Sequence, residues 1–212
     1  VADGPLRAAY TDELGYAAAA MPAPEAPGRH ELDVQHMDAE GEEVAARANV
    51  FVWPREAALL AVDLDALPAG WVPEGPAAAE AVRLLAGSGG VIYLTQAQAK
   101  GHAAARARLE AEGYPPGPVL TWQAERLHIV REGEWRLPRL VVEHRLVSQL
   151  GRLRETFPKL AAGVCTSGLA AKAFAEAGLR AIIVGAAAPE GLEVQCHPSW
   201  PALRDAAGAP AE

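Results

Sequence analysis

The stretch LAAGVCTSGLAAKAFAEAGLRAIIVG, residues 160–185, decides the fold class. It opens on an apolar run of strand length, LAAGVC. Ala170, Ala173, Phe174 and Ala177 then recur at helical spacing, Gly178 stops the helix, and a second apolar run, AIIVG, follows at 181–185. Two short runs without polar alternation, joined by a helix, read as a parallel β-α-β unit whose strands are buried on both faces. The same rhythm extends backwards. ALLAVDL (58–64), VIYLT (91–95) and PVLTW (118–122) are strand-like, and LEVQC (192–196) offers a sixth strand. Between them, Ala78, Ala81, Val82 and Leu85 follow Pro76 at helical spacing, residues 99–112 are rich in Ala and Arg and stop at Gly113, and Leu146, Leu150, Leu153 and Phe157 mark a helix over 142–156. The order predicts an α/β fold in three layers, a mainly parallel sheet between two sets of helices.

The front of the chain has another period. From Gly28 to Pro54 the residues Leu32, Val34, Val44, Ala46, Ala48, Val50 and Val52 alternate around the turn-forming DAEGE, as in a β-hairpin. A small antiparallel β module over residues 1–56 is therefore expected ahead of an α/β domain over 57–212. His30 and His36 share a strand face, but without Cys or carboxylate partners at ligand spacing they predict no metal. LHIVREGEWRLPRL (127–140) reads as a second hairpin, a surface flap rather than a cap.

With 212 residues and 50% hydrophobic content the chain can bury a sizeable core. Its 27 acidic against 19 basic side chains, net −8, speak against general attraction to nucleic acid or to an anionic membrane. Apolar runs end far short of the ~20 residues that span a bilayer, so no transmembrane segment is expected. The first residue is Val, which suggests a processed or trimmed start and leaves the compartment open, an extracytoplasmic one included. Cys165 and Cys196 each end a strand-like run. Buried thiols are expected rather than a disulfide, because neighbouring strands would hold the two cysteines a strand apart.

In a parallel sheet, ligands sit beyond the carboxyl ends of the strands. Asp63, Asp65, Thr95 and Cys165 to Ser167 all fall there. A carboxylate at such an end can attack phosphorus, a second one two residues on can serve as acid and base, and a hydroxyl such as Thr95 can hold a phosphoryl oxygen.

From about residue 28 to 186 the chain resembles the haloacid dehalogenase superfamily, and within it the lipin-type domain of phosphatidate phosphatases and of membrane-associated phosphatidylinositol transfer proteins. The residues that carry the resemblance are AVDLDALP (61–68), VIYLTQAQAKGHAAARARLEAEGYPPGPVL (91–120), TFP (156–158) and AAGVCTSGLAAKAFAEAGLRAIIVG (161–185). The resemblance implies Asp63 as nucleophile and metal ligand, Asp65 as acid and base, and Thr95 as phosphate holder; the basic residue it expects near the start of the 142–156 helix falls at Leu146 or, with a one-residue shift, at Arg145. The chain departs from the pattern at Leu67, where the family has Thr, and at Thr166 and Ala170, where it has acidic metal ligands. Magnesium wants about six oxygens and usually more than one carboxylate. The expected cofactor is therefore none, or weakly bound magnesium.

The resulting expectation is a vestigial phosphatase centre on a domain with a binding or assembly role, toward a phospholipid headgroup or a protein partner. Arg145, Arg152 and Arg154 on one helix are the candidate anion cluster. Two alternatives stand beside it: a magnesium-dependent phosphatase working through Asp63 and Asp65, and an accessory structural subunit. Five tryptophans (Trp53, Trp71, Trp122, Trp135, Trp200) bear on the last, since Trp is favoured in interfaces.

Overall fold

In the computed structural model, described over residues 22–37, 41–68, 72–95, 102–122, 126–130, 139–143 and 145–209, the chain forms two compact units that divide between Val52 and Trp53. The first unit contains one antiparallel ribbon, β1 (Gly28–Met37) against β2 (Glu43–Val52), with Leu32 opposite Ala48, Val34 opposite Ala46 and His36 opposite Val44. Directly paired residues share a face and alternate residues change face. One face is thus apolar apart from His30 and His36, and the other carries Arg29, Glu31, Asp33, Glu43 and Arg47. Both Val34 and Val44 on the apolar face remain exposed.

The second unit is built on six parallel strands: β3 (Leu59–Asp63), β4 (Gly90–Thr95), β5 (Val119–Thr121), β8 (Leu160–Cys165), β9 (Arg180–Val184) and β10 (Gln195–His197). Their order across the sheet is β10-β9-β8-β3-β4-β5. The chain therefore winds outward one way from β3 and then the other way from β8. Crossovers of one hand put the helices of the two halves on opposite faces. The packing follows this rule. Leu60, Val62, Val91, Tyr93, Val164 and Ile182 meet α1 (Gly75–Ala86), α2 (His102–Ala111) and α5 (Trp200–Gly208). Leu59, Ala61, Ile92, Leu94, Cys165 and Ile183 meet α3 (Arg145–Thr156) and α4 (Gly168–Glu176). The central strands are buried on both sides, which is why the sequence shows them as unbroken apolar runs.

One extra residue in β8 adjusts the alternation. Leu160 pairs with Leu59 and Ala162 with Leu60, so Ala161 bulges out and is exposed while Leu160 turns toward α3 and α4. The phrase PPGPVL also has a local cause. A Cβ on Gly117 would stand 2.1 Å from the Val91 carbonyl oxygen, so only glycine lets this loop lie against β4. The loop is fixed there by Tyr93 N–H on Pro118 O at 2.9 Å and by the Tyr93 hydroxyl on Pro115 O at 2.7 Å.

Some boundaries differ from the sequence reading. β10 covers Gln195–His197 rather than 192–196, because Leu192 and Val194 pack on the α3/α4 side and the ladder to β9 has three rungs. The helix expected over 142–156 begins at Arg145, since residues through Glu143 belong to a hairpin of β6 (Arg126–Val130) and β7 (Arg139–Glu143). That hairpin leaves the sheet from the carboxyl end of β5. Trp122 and Trp200 are buried in the core, and Trp53 packs edge-on against Phe157 with ring centroids 6.0 Å apart. Packing of the domain itself accounts for these three, and Trp71 and Trp135 lie outside the described residues. No described helix is long and apolar enough to cross a membrane.

Both cysteines are free thiols, Cys165 buried and Cys196 exposed. Each is opposite Ile183, from either side. Two strand spacings of about 4.8 Å separate their backbones, beyond the ~7 Å a disulfide tolerates. The intact mass is expected to be the same with and without reductant; a difference of about 2 Da would place a bond between them.

Candidate functional site

The strand order reverses between β3 and β8, and the crevice at their carboxyl ends is where such a sheet can receive a ligand. Three of the four residues expected there come together. Asp63 is the last residue of β3 and is nearly buried. The chain then tightens into one turn of 3₁₀ helix, Leu64–Ala66, capped by Asp63: its Oδ1 accepts the Asp65 N–H at 3.2 Å. Asp65 is exposed, and its Oδ1 accepts the hydroxyl of Thr95, the buried last residue of β4, at 3.0 Å. Arg145, the fourth, is the first residue of α3. That end of α3 faces the carboxyl ends of the strands by topology, and only the backbone of Arg145 is described.

Burial first, and then the like charge of Asp65, push the Asp63 carboxyl up to about 6, against the downward pull of its bond from Asp65 N–H. Among the described residues no cation contributes. Cys165 ends β8 beside this strand, and burial, with the charge of Asp63 next, pushes its thiol up to about 12. A thiol at that value is protonated near neutrality and is a poor nucleophile or metal ligand.

The fourth strand end lacks acidic side chains. Thr166 is half-buried, Ser167 caps α4 by accepting the Ala170 N–H at 3.2 Å, and Ala170 is packed in the core. Among the described residues no three His, Cys, Asp or Glu side chains gather into a possible metal site. The described residues thus do not form the oxygen cage magnesium needs. Two of the three arginines of the expected cluster, Arg152 and Arg154, lie elsewhere. Arg152 is exposed, and Arg154 donates through Nη1 to Ala177 O at 2.6 Å, closing the end of α4 away from Asp63.

One residue the sequence reading passed over shapes this turn. Arg108 on α2 donates through Nη2 to Leu67 O at 2.9 Å and Pro68 O at 2.6 Å, while its Nε meets Glu112 at 3.1 Å. It ties down the chain just beyond Asp65. The spacing of Arg108 and Glu112 was visible as a helical ion pair, but its reach across the fold was not.

Compared with known proteins, the chain matches no family model and no curated protein.

Proposed function

We infer that the second unit is a haloacid dehalogenase-like domain without a working phosphotransfer centre, and that the protein acts by binding or assembly with a protein partner. The observation that supports this most is the bond from Thr95 Oγ1 to Asp65 Oδ1 at 3.0 Å. The hydroxyl expected to hold a phosphoryl oxygen is spent on the carboxylate expected to serve as acid and base. Asp63 likewise caps its own turn.

Electrostatics point the same way. A transferring phosphoryl group gathers negative charge that cations must offset. At an effective dielectric of about 20, a unit negative charge ~4 Å from a carboxylate costs roughly 4 kcal/mol. Neither a cation beside Asp63 nor a third acidic group for a metal is among the described residues. An anionic phospholipid headgroup meets the same repulsion, and Arg154 is already engaged with Ala177.

The test is hydrolysis of an aryl phosphate and of phosphatidic acid in the presence of magnesium, by the wild-type chain and by Asp63→Asn. Neither protein is expected to exceed the blank. Turnover by the wild type that vanishes in the variant would make Asp63 a nucleophile and overturn the reading.

A further inference from the structure

We propose that the outer edge of β1 receives an extended segment of a partner protein in which apolar and basic residues alternate. This goes beyond the reading of the Asp63 site and concerns the other unit. Residues 1–52 hold ten acidic and three basic side chains, net −7 of the chain's −8, whereas residues 53–212 hold seventeen and sixteen. The acidity of the chain is thus concentrated in the unit that carries the β1–β2 ribbon.

Among the described residues the ribbon is a sheet of two strands. Two strands alone are marginally stable in water, and an unpaired edge presents a row of free N–H and C=O groups. Among the described residues no third strand pairs with β1 or β2. On one face, Leu32 and Val34 of β1 continue into Ala48 and Ala46 of β2, with Val34 44% and Val44 58% exposed. On the other face, β1 carries Arg29, Glu31 and Asp33; Glu31 stands 4.0 Å from Arg29 and Asp33 3.4 Å from Arg47, and both carboxylates remain largely exposed to a further basic side chain. A strand laid beside β1 would place its alternate residues next to Leu32 and Val34 on one side and next to Glu31 and Asp33 on the other. Apolar side chains suit the first row and Lys or Arg the second.

Charge also selects among occupants. A second copy would bring two units of net −7 together, and an anionic membrane would repel the same surface. A basic extended segment gains on both faces at once.

The probe is a fluorescent octapeptide of alternating lysine and valine, followed by anisotropy against the full chain. Controls are the glutamate–valine octapeptide and a lysine–valine octapeptide N-methylated at every residue, which keeps charge and apolarity but removes the strand's N–H donors. The expected result is saturable binding of the first peptide alone, weakened at least tenfold by Glu31→Gln with Asp33→Asn and by Val34→Lys, with the circular dichroism of each variant matching the wild type. Equal binding of the N-methylated peptide, or no binding of any, would overturn the proposal. So would self-association, or binding to phosphatidylglycerol vesicles, that the same substitutions abolish: the ribbon would then serve a second copy or a membrane.

Discussion

Asp63→Asn is expected to make the second unit more stable at pH 7 to 8, not less. Asp63 is nearly buried, and burial with the like charge of Asp65 raises its carboxyl from 3.8 to about 6. Below about pH 4 the side chain is protonated in the folded and the unfolded chain. As pH rises from there to about 6, the unfolded chain releases the proton while the folded chain still holds it, so stability falls across this window and the loss is complete above it. A shift of this size corresponds to about 2–3 kcal/mol. Asparagine keeps the cap on the 3₁₀ turn, since its side-chain oxygen can still accept the Asp65 N–H. Thermal unfolding at pH 7.5 should therefore rise by roughly 5–10 °C in the variant, and the gap should close as pH is lowered toward 4. A variant that melts below the wild type at pH 7.5 would mean that the ionised carboxylate has a stabilising partner.

Phe174→Ala is expected to cost about 3–5 kcal/mol, the usual range for emptying a fully buried aromatic site. The ring has no exposed surface, and it fills the space that a side chain on Gly163 would need: a Cβ there would stand 2.5 Å from the ring. Helix α4 thus lies close on β8 because one partner is glycine and the other phenylalanine. Gly163→Ala alone should also destabilise, by about 1–3 kcal/mol from overpacking, and pairing it with Phe174→Leu should recover part of that loss. Urea unfolding midpoints of the three variants read these effects directly. A loss under about 1 kcal/mol for Phe174→Ala would mean that the ring is not packed between α4 and β8.

The same pair shows what the sequence made legible. Strands buried on both faces leave unbroken apolar runs, so β3, β4, β8 and β9 were readable, and the helix face of Ala170, Ala173 and Phe174 gave the layer above them. Short elements were harder. The three-residue β10 is defined by its ladder to β9, and Leu192 and Val194 look like strand residues although they serve packing. The site was legible as a set of positions but not as a state. Asp63, Asp65 and Thr95 could be placed at adjacent strand ends from the β-α-β order alone. That Thr95 donates to Asp65, and that Arg108 reaches Leu67 and Pro68 from 41 and 40 positions away, depends on tertiary geometry that no local pattern encodes. The ribbon presents the converse case. Its alternation gave the hairpin correctly, yet alternation fixes only which residues share a face, and the exposure of Val34 and Val44 comes from the absence of a second layer over them among the described residues.

Whether Asp63 and Asp65 form a phosphotransfer centre is measured most directly by thermal unfolding of the wild type and of Asp63→Asn as magnesium is raised to about a hundredfold above a typical millimolar site affinity. Magnesium is expected to move the two midpoints equally or not at all. A saturating upward shift in the wild type that Asp63→Asn lacks would contradict it, because it would mean that Asp63 holds the ion after all.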